Sequence, residues 1–219
     1  MLEITISEAI KIKCPDLRLG CLQCEVDIVK EHSGLWALIN ETVLNLQAIM
    51  TREHIATLPV IKASREAYRA LGKDPARYRL SAEALLRRVL GGKSLYKINN
   101  VVDLLNLVSI QTGFSIGGFD TSQLEGNAIL GIGEEGEPYT GIGRGTLNIA
   151  NLPVLRDEKG AFGTPTSDSS RTLVGPSTKQ FLMVFYDFGS SDTLEAAMEL
   201  AESLLSNFGG AEKFEKCHI

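Results

Sequence analysis

No stretch of this chain is apolar for more than a few residues, far short of the roughly 20 needed to cross a bilayer as a helix. Its first residues, MLEITISEAIKIKCPD, show no basic segment followed by an apolar run, so no signal peptide is expected and a cytoplasmic location is. Histidine is scarce: His32, His54 and His218 are scattered and form no HxxxH or HExxH. Zinc- and serine-hydrolase templates therefore have no support, and neither a metal nor a cofactor is expected. Catalysis here would have to proceed without a recognisable histidine base.

Cysteine is also sparse, at Cys14, Cys21, Cys24 and Cys217. Cys21 and Cys24 spell CxxC, but LRLGCLQCEVDIV alternates as a strand does, and residues three apart on a strand face opposite ways. A structural role for both thiols is the plain reading, with a redox or zinc role as the alternative. The glycine-rich pieces Gly131-Ile-Gly133 and Gly141-Ile-Gly143-Arg-Gly145 fail the nucleotide templates, because neither is a GxGxxG opening a helix and no GxxxxGK[ST] exists. Strand-end turns or bulges account for them better.

What is present suffices for one large domain. The chain has 219 residues and 44% hydrophobic content, enough for a core without staples. Residues 2–7 and about 17–29 read as strands, and residues 34–48 show helical spacing. Thr51 caps a short helix ending near Pro59, and another helix runs to Tyr68 and stops at Gly72. Ser81 can cap AEALLRRVL, and a helix from about Asn100 to Gln111 stops at Gly113. From Ile116 onward, short apolar runs separated by Gly, Pro, Asp and Ser suit a mainly antiparallel sheet. Asp192 and Glu195 have capping-box spacing for a last helix ending at Gly209, with His218 in a frayed tail. The expected fold class is α+β, helix-rich in the N-terminal half and sheet-rich in the C-terminal half, over a single domain of residues 1–219.

Charge is unevenly placed. The formal net charge is −5, yet Lys62 to Lys97 holds ten basic residues against Glu66, Asp74 and Glu83, which gives +7 there and −12 elsewhere. Such a band is a plausible polyanion footprint, the alternative being a solvated face with charges clustered in sequence alone.

Three stretches offer chemistry. Asn99, Asp103 and Asn106 form a polar stripe on an otherwise apolar helix. Either Asn99 or Asn100 caps the helix while Asp103 and Asn106 pin loops, or Asn106 lines a pocket with Asp103 behind it. Gly117-Gly118-Phe119-Asp120 is either a tight turn into a strand or a source of N–H donors for a ligand oxygen. GTPTSDSSRT, from Gly163 to Thr172, continued by Ser177, Thr178 and Lys179, is either an exposed polar loop or part of a site around Asp168 and Arg171.

KINNVVDLLNLVSIQTGFSIGGFD resembles the segment of bacterial phenylalanyl-tRNA synthetase beta subunits that reads approximately N-x-VVD-x-x-N, then G-x-x-x-H-x-FD. Asn100, Val101, Val102, Asp103, Asn106, Gly113, Phe119 and Asp120 carry the likeness. That segment belongs to the B3/B4 tRNA-editing domain. The stretches YRALGKDPARYRLSAEALLRRVLGGKSL and SDSSRT look like freestanding members of the same family, and the likeness is clearest over residues 35–209. The resemblance implies hydrolysis of the ester of mischarged aminoacyl-tRNA, with tRNA as partner. The alternatives are a noncatalytic tRNA- or RNA-binding module and a binder of an amino-acid-like molecule. One departure stands out, since Gly117 occupies the place of the pattern's histidine. An aminoacyl ester is activated, so positioning a water and stabilising an oxyanion can suffice. On this reading Ser167, Asp168 and Thr172 orient the water, and the amides of Gly117 and Gly118 hold the oxyanion. Asn106, Asp103, Asp120, Arg171 and Thr178 contact the substrate, and Arg77, Arg79, Arg87, Arg88, Lys93 and Lys97 contact tRNA.

Overall fold

The run FLMVFY, residues 181–186, offers no charged side chain to water, and it lies inside a sheet with both faces covered. A computed structural model describes residues 1–189 and 193–219. In chain order the elements are β1 (Ile4–Ile6), α1 (Glu8–Lys13), β2 (Arg18–Glu25), α2 (Ser33–Ile49), α3 (Pro59–Ala70), α4 (Ser81–Val89), α5 (Asn100–Thr112), β3 (Ser115–Asp120), β4 (Ala128–Ile132), β5 (Thr140–Gly141), β6 (Gly145–Thr146), β7 (Pro153–Asp157), β8 (Gly160–Gly163), β9 (Gln180–Asp187), α6 (Leu194–Phe208) and β10 (Glu212–His218). Short 3-10 turns cover Arg52–Thr57, Thr121–Gln123 and Ser170–Thr172. The fold is α+β, with mainly antiparallel pairing.

One sheet runs β10-β2-β9-β3 and a second β1-β4-β7-β8, while β5 and β6 form a separate hairpin. In the first sheet the pleat divides the side chains into two cores. Leu22, Cys24, Ile116, Phe181, Met183 and Phe185 pack with the helices, chiefly α2, α5 and α6. Leu19, Cys21, Phe119, Leu182, Val184 and Tyr186 pack with residues of the second sheet and with Ile10 of α1. The period of two thus sends Cys21 and Cys24 into different cores, and all four cysteines are free thiols. Gly20 lets α6 close on β2, since a Cβ there would stand 2.4 Å from Met198 Sδ.

α5 is buried nearly all round. Asn99 caps it by accepting from the Val102 N–H at 2.9 Å, and Gly113 ends it at φ +81°. Asn100 accepts from the Val29 N–H and donates to the carbonyls of Asp27 and Phe208, joining three segments.

Several expectations need correction. Leu80, not Ser81, precedes the first turn of α4, which has no side-chain cap. The C-terminus is not frayed, because β10 pairs with β2 and His218 Nε2 lies 2.6 Å from Glu195 Oε2. β1 pairs parallel to β4, and α1 falls in a segment with no clear apolar period. Asp192 of the capping box lies outside the described residues. No helix among the described residues is long and apolar enough to cross a membrane.

At Gly133, just past β4, another stretch of backbone approaches closely. A Cβ there would sit 1.9 Å from the Ile149 carbonyl oxygen, a backbone atom that cannot rotate aside. Gly133→Ala is expected to destabilise the fold by roughly 1–3 kcal/mol, as overpacking does, and to shift the midpoint of urea denaturation accordingly. An unshifted midpoint would show that the 149–152 turn yields freely.

Candidate functional site

The loop that follows β8 is dense in hydroxyls because it bonds to itself. Thr164 Oγ1 accepts from the N–H groups of Thr166 and Ser167 and donates to the Ser167 carbonyl at 2.9 Å. Ser169 Oγ accepts from the Arg171 N–H and starts the 3-10 turn. Thr164, Thr166, Ser169 and Thr172 are buried, so this is no exposed polar loop. Two tyrosines fix it further: Tyr139 donates to the Ser167 carbonyl at 2.6 Å, and Tyr68 shares a 2.9 Å hydrogen bond with Thr166.

The result is that Asp168 is delivered to the edge of β3. Its Oδ2 accepts from the Gly118 N–H at 3.0 Å, on the side of β3 away from β9. Asp168 retains some exposure as a residue, yet burial of its carboxyl raises the pKa to about 7, with the Gly118 amide pulling the other way. The carboxyl is therefore close to half ionised at neutral pH. Burial, together with the charge of Asp168, also keeps Tyr139 and Tyr186 protonated as hydrogen-bond donors. Tyr186 Oη is buried without a hydrogen-bond partner among the described residues. Next to the loop lies an open groove of about 370 Å³, lined by Tyr139, Thr140, Gly160, Ser169, Ser170 and Arg171 among others.

The glycine pair is not a turn. Both residues lie within β3, opposite Val184 and Met183. A Cβ on Gly117 would stand 2.5 Å from Phe119 Cζ and 3.2 Å from Asp168 Oδ1, and one on Gly118 would stand 2.6 Å from Leu105 Cδ1. Where the resembling pattern carries a histidine, this chain has the Phe119 ring and the Asp168 carboxylate. The Gly118 amide is engaged by Asp168, so it is not a free oxyanion donor as expected from the sequence.

The expected substrate contacts do not gather at Asp168. Asp103 faces the helix layer, accepting from Trp36 Nε1 at 2.8 Å and from the Ile98 N–H at 2.9 Å. Asn106, half-buried on the same helix, lies across the sheet from the inter-sheet core. Asp120 binds Ser122 and Thr178, and Thr178 in turn accepts from the Gly175 N–H. Arg171 reaches the groove but forms a two-pronged pair with Asp157, at 2.7 and 3.1 Å, and also donates to two carbonyls. The Thr172 hydroxyl is enclosed by its own turn, and Ser167 Oγ lies 3.4 Å from the Asp168 carbonyl. Of the residues named from sequence, Gly117, Gly118, Ser167 and Asp168 share one place.

The basic band resolves into unequal parts. Lys73 is buried, with Nζ on the carbonyls of Ala150 and Asn148. Lys97 pairs with Glu31, Arg88 stacks on Tyr96 and donates to the Ser94 carbonyl, and Arg77 and Lys93 are exposed. Arg65, Arg79 and Arg87 converge on Glu83.

Sequence reasoning passed over Tyr68, Tyr139 and Tyr186, and the order of the chain gives no sign that they meet. It also passed over GFSIG at Gly113–Gly117, which spells GxSxG. Ser115 there is buried on a helix-to-strand connection, with its hydroxyl 3.5 Å from the Ala82 N–H, and not on the strand-to-helix elbow that exposes a nucleophile. Among the described residues no group of three or more His, Cys, Asp or Glu is arranged to hold a metal.

Two sheets in register with a helix layer, and a carboxylate held at a strand edge by a self-bonded loop, define an α+β domain with a candidate site between loop and sheet. The chain belongs to the B3/4 domain family, whose description matches residues 63–208 and so takes in α3 to α6, Glu83, Gly117, Gly118 and Asp168. Among solved structures it is similar to an N-terminal fragment of the phenylalanyl-tRNA synthetase beta subunit from Pyrococcus horikoshii, at a TM-score of 0.50 and 14% identity. That likeness covers 99% of this chain and 53% of the fragment, so the chain spans about half of its length. At this identity the likeness speaks for the fold. Comparison with curated proteins gives no match.

Proposed function

We propose that this protein hydrolyses the ester of mischarged aminoacyl-tRNA, with Asp168 as general base. The observation that carries the reading is a carboxyl with a pKa of about 7, fixed at the β3 edge by a loop whose next residues, Ser169 and Ser170, line an open groove. Ionised Asp168 takes a proton from water as the water oxygen attacks the ester carbonyl. The C–O bond to the ribose then breaks, and the proton passes to the leaving ribose oxygen, giving free amino acid and tRNA. The Gly118 amide orients the carboxylate. In this reading Asp168 takes over the work of the histidine that Gly117 replaces.

A panel of mischarged tRNAs tests it. Release of amino acid from at least one of them, above the spontaneous rate, is the expected result, and no release from any would end the reading. A second reading, noncatalytic RNA binding, is favoured by the Gly118 N–H, because a carboxylate already bonded to the nearest amide leaves that amide unavailable to a substrate. Retention of tRNA without release of amino acid is its signature.

A further inference from the structure

Glu83 is 1% exposed, and three arginines from three segments reach it: Arg65 of α3 at 2.7 Å, Arg87 of α4 at 2.9 Å and Arg79 of the preceding loop at 3.7 Å. A single buried carboxylate needs one cation for neutrality. Three leave a surplus of two positive charges at one point on the surface. The arginine side chains are 17, 36 and 43% exposed for Arg65, Arg87 and Arg79, so each is partly open to water while the acid is not. Arg79 Nε is buried without a hydrogen-bond partner among the described residues, too far from Glu83 to bond. Guanidinium groups repel one another, and without the carboxylate between them nothing would hold these three side by side.

We infer that Glu83 organises Arg65, Arg79 and Arg87 into a binding site for phosphate groups, and that the phosphates are those of an RNA backbone. Guanidinium forks match phosphate oxygens two at a time, and the surplus charge is balanced by one or two phosphodiesters. Preorganisation removes the ordering of flexible side chains from the binding step. A backbone rather than a lone ion fits the surroundings, because Lys62 and Arg69 extend the same face of α3 at helical spacing and are exposed, two cations against the one acid Glu66 between them. The site is also joined to the Asp168 loop: the Ser81 N–H donates to the Pro165 carbonyl at 2.8 Å, two residues before Glu83. The inference depends on the proposed function only for the source of the phosphate.

The test is binding of an uncharged tRNA transcript to the whole protein across a range of salt. Glu83→Gln is the discriminating variant, because it adds one unit of positive charge to the face while removing the organiser. If the site is preorganised, Glu83→Gln binds tRNA more weakly than the parent. If charge alone attracts RNA, it binds more tightly, and the inference is overturned. Arg79→Gln, the most exposed of the three and the safest for folding, is expected to weaken binding and to lower the slope of log K against log salt by about 1. An unchanged affinity and slope in this variant would equally overturn it. Inorganic phosphate is the second arm: protection by phosphate without tRNA binding would assign the site to a free phosphate ligand and refute the RNA backbone. Ester hydrolysis is read separately on a short aminoacyl nucleoside ester, so a protein that grips tRNA but cleaves nothing retains this site and loses the proposed activity.

Discussion

Asp168→Asn is expected to lower aminoacyl-ester hydrolysis by roughly 10²- to 10⁴-fold, the range supplied by a positioned general base. Asn keeps an oxygen to accept the Gly118 N–H, so the loop geometry is retained while the titrating group is lost. In the parent, the rate should rise with pH through a midpoint near 7 and level off at higher pH, as the carboxyl becomes fully ionised. In the variant that inflection should vanish. Stability moves in the opposite sense. The folded-state pKa of about 7 lies above the ordinary value of 3.8, so the fold binds this proton more tightly than the unfolded chain does. The contribution is therefore complete below about pH 3.8 and is lost as pH rises through 7. Asp168→Asn removes that loss, so its melting temperature should exceed the parent's at pH 8, with the gap closing toward pH 4. Unchanged turnover in a folded variant would remove Asp168 from the chemistry. Such a gain in stability with loss of activity is the usual mark of a strained functional group.

Asp103→Ala should have the largest effect on stability, about 2–5 kcal/mol, without a role in turnover. It leaves the buried Trp36 indole N–H and the partly buried Ile98 amide without their acceptor, and an orphaned buried donor costs about 1–3 kcal/mol. Burial raises the pKa of Asp103, while the Ile98 amide, the Trp36 indole and the nearby Lys97 restrain the rise. Trp36→Phe orphans one carboxylate oxygen and should cost less. Asn106→Ala, at a half-buried position on the same stripe, should cost under about 0.5 kcal/mol, as surface changes do. Urea denaturation gives the three values, and hydrolysis per folded molecule shows whether chemistry is touched. If Asp103→Ala stops hydrolysis at full stability, the stripe belongs to the site after all.

The polar stripe shows what was legible and what was not. Three polar residues on an apolar helix were visible at i, i+4 and i+7, and the need to satisfy them followed from burial. Their partners could not be read, because Trp36 lies 67 residues from Asp103 and Val174 lies 75 from Asn99. The glycine pair had the same fate. Its departure from the histidine pattern was plain, yet that Phe119 and Asp168 fill the space is a fact about a strand edge and a loop 50 residues away. The basic band was legible only in part, since charge counts do not reveal that Lys73 is buried or that Glu83 gathers three arginines.

The chain by itself determined many of the elements: helices closed by Asn99, Gly72 and Gly113, strands alternating at Leu19–Cys24, and a buried apolar β9. These depend on neighbours within a turn of helix or a few residues of strand. Tertiary structure decided which polar groups are buried, paired or left without a partner. A carboxylate's pKa, an orphan hydroxyl and a surplus of charge on one acid arise from desolvation and distance between segments far apart in sequence, and those quantities exist only once the two sheets and the helix layer have closed.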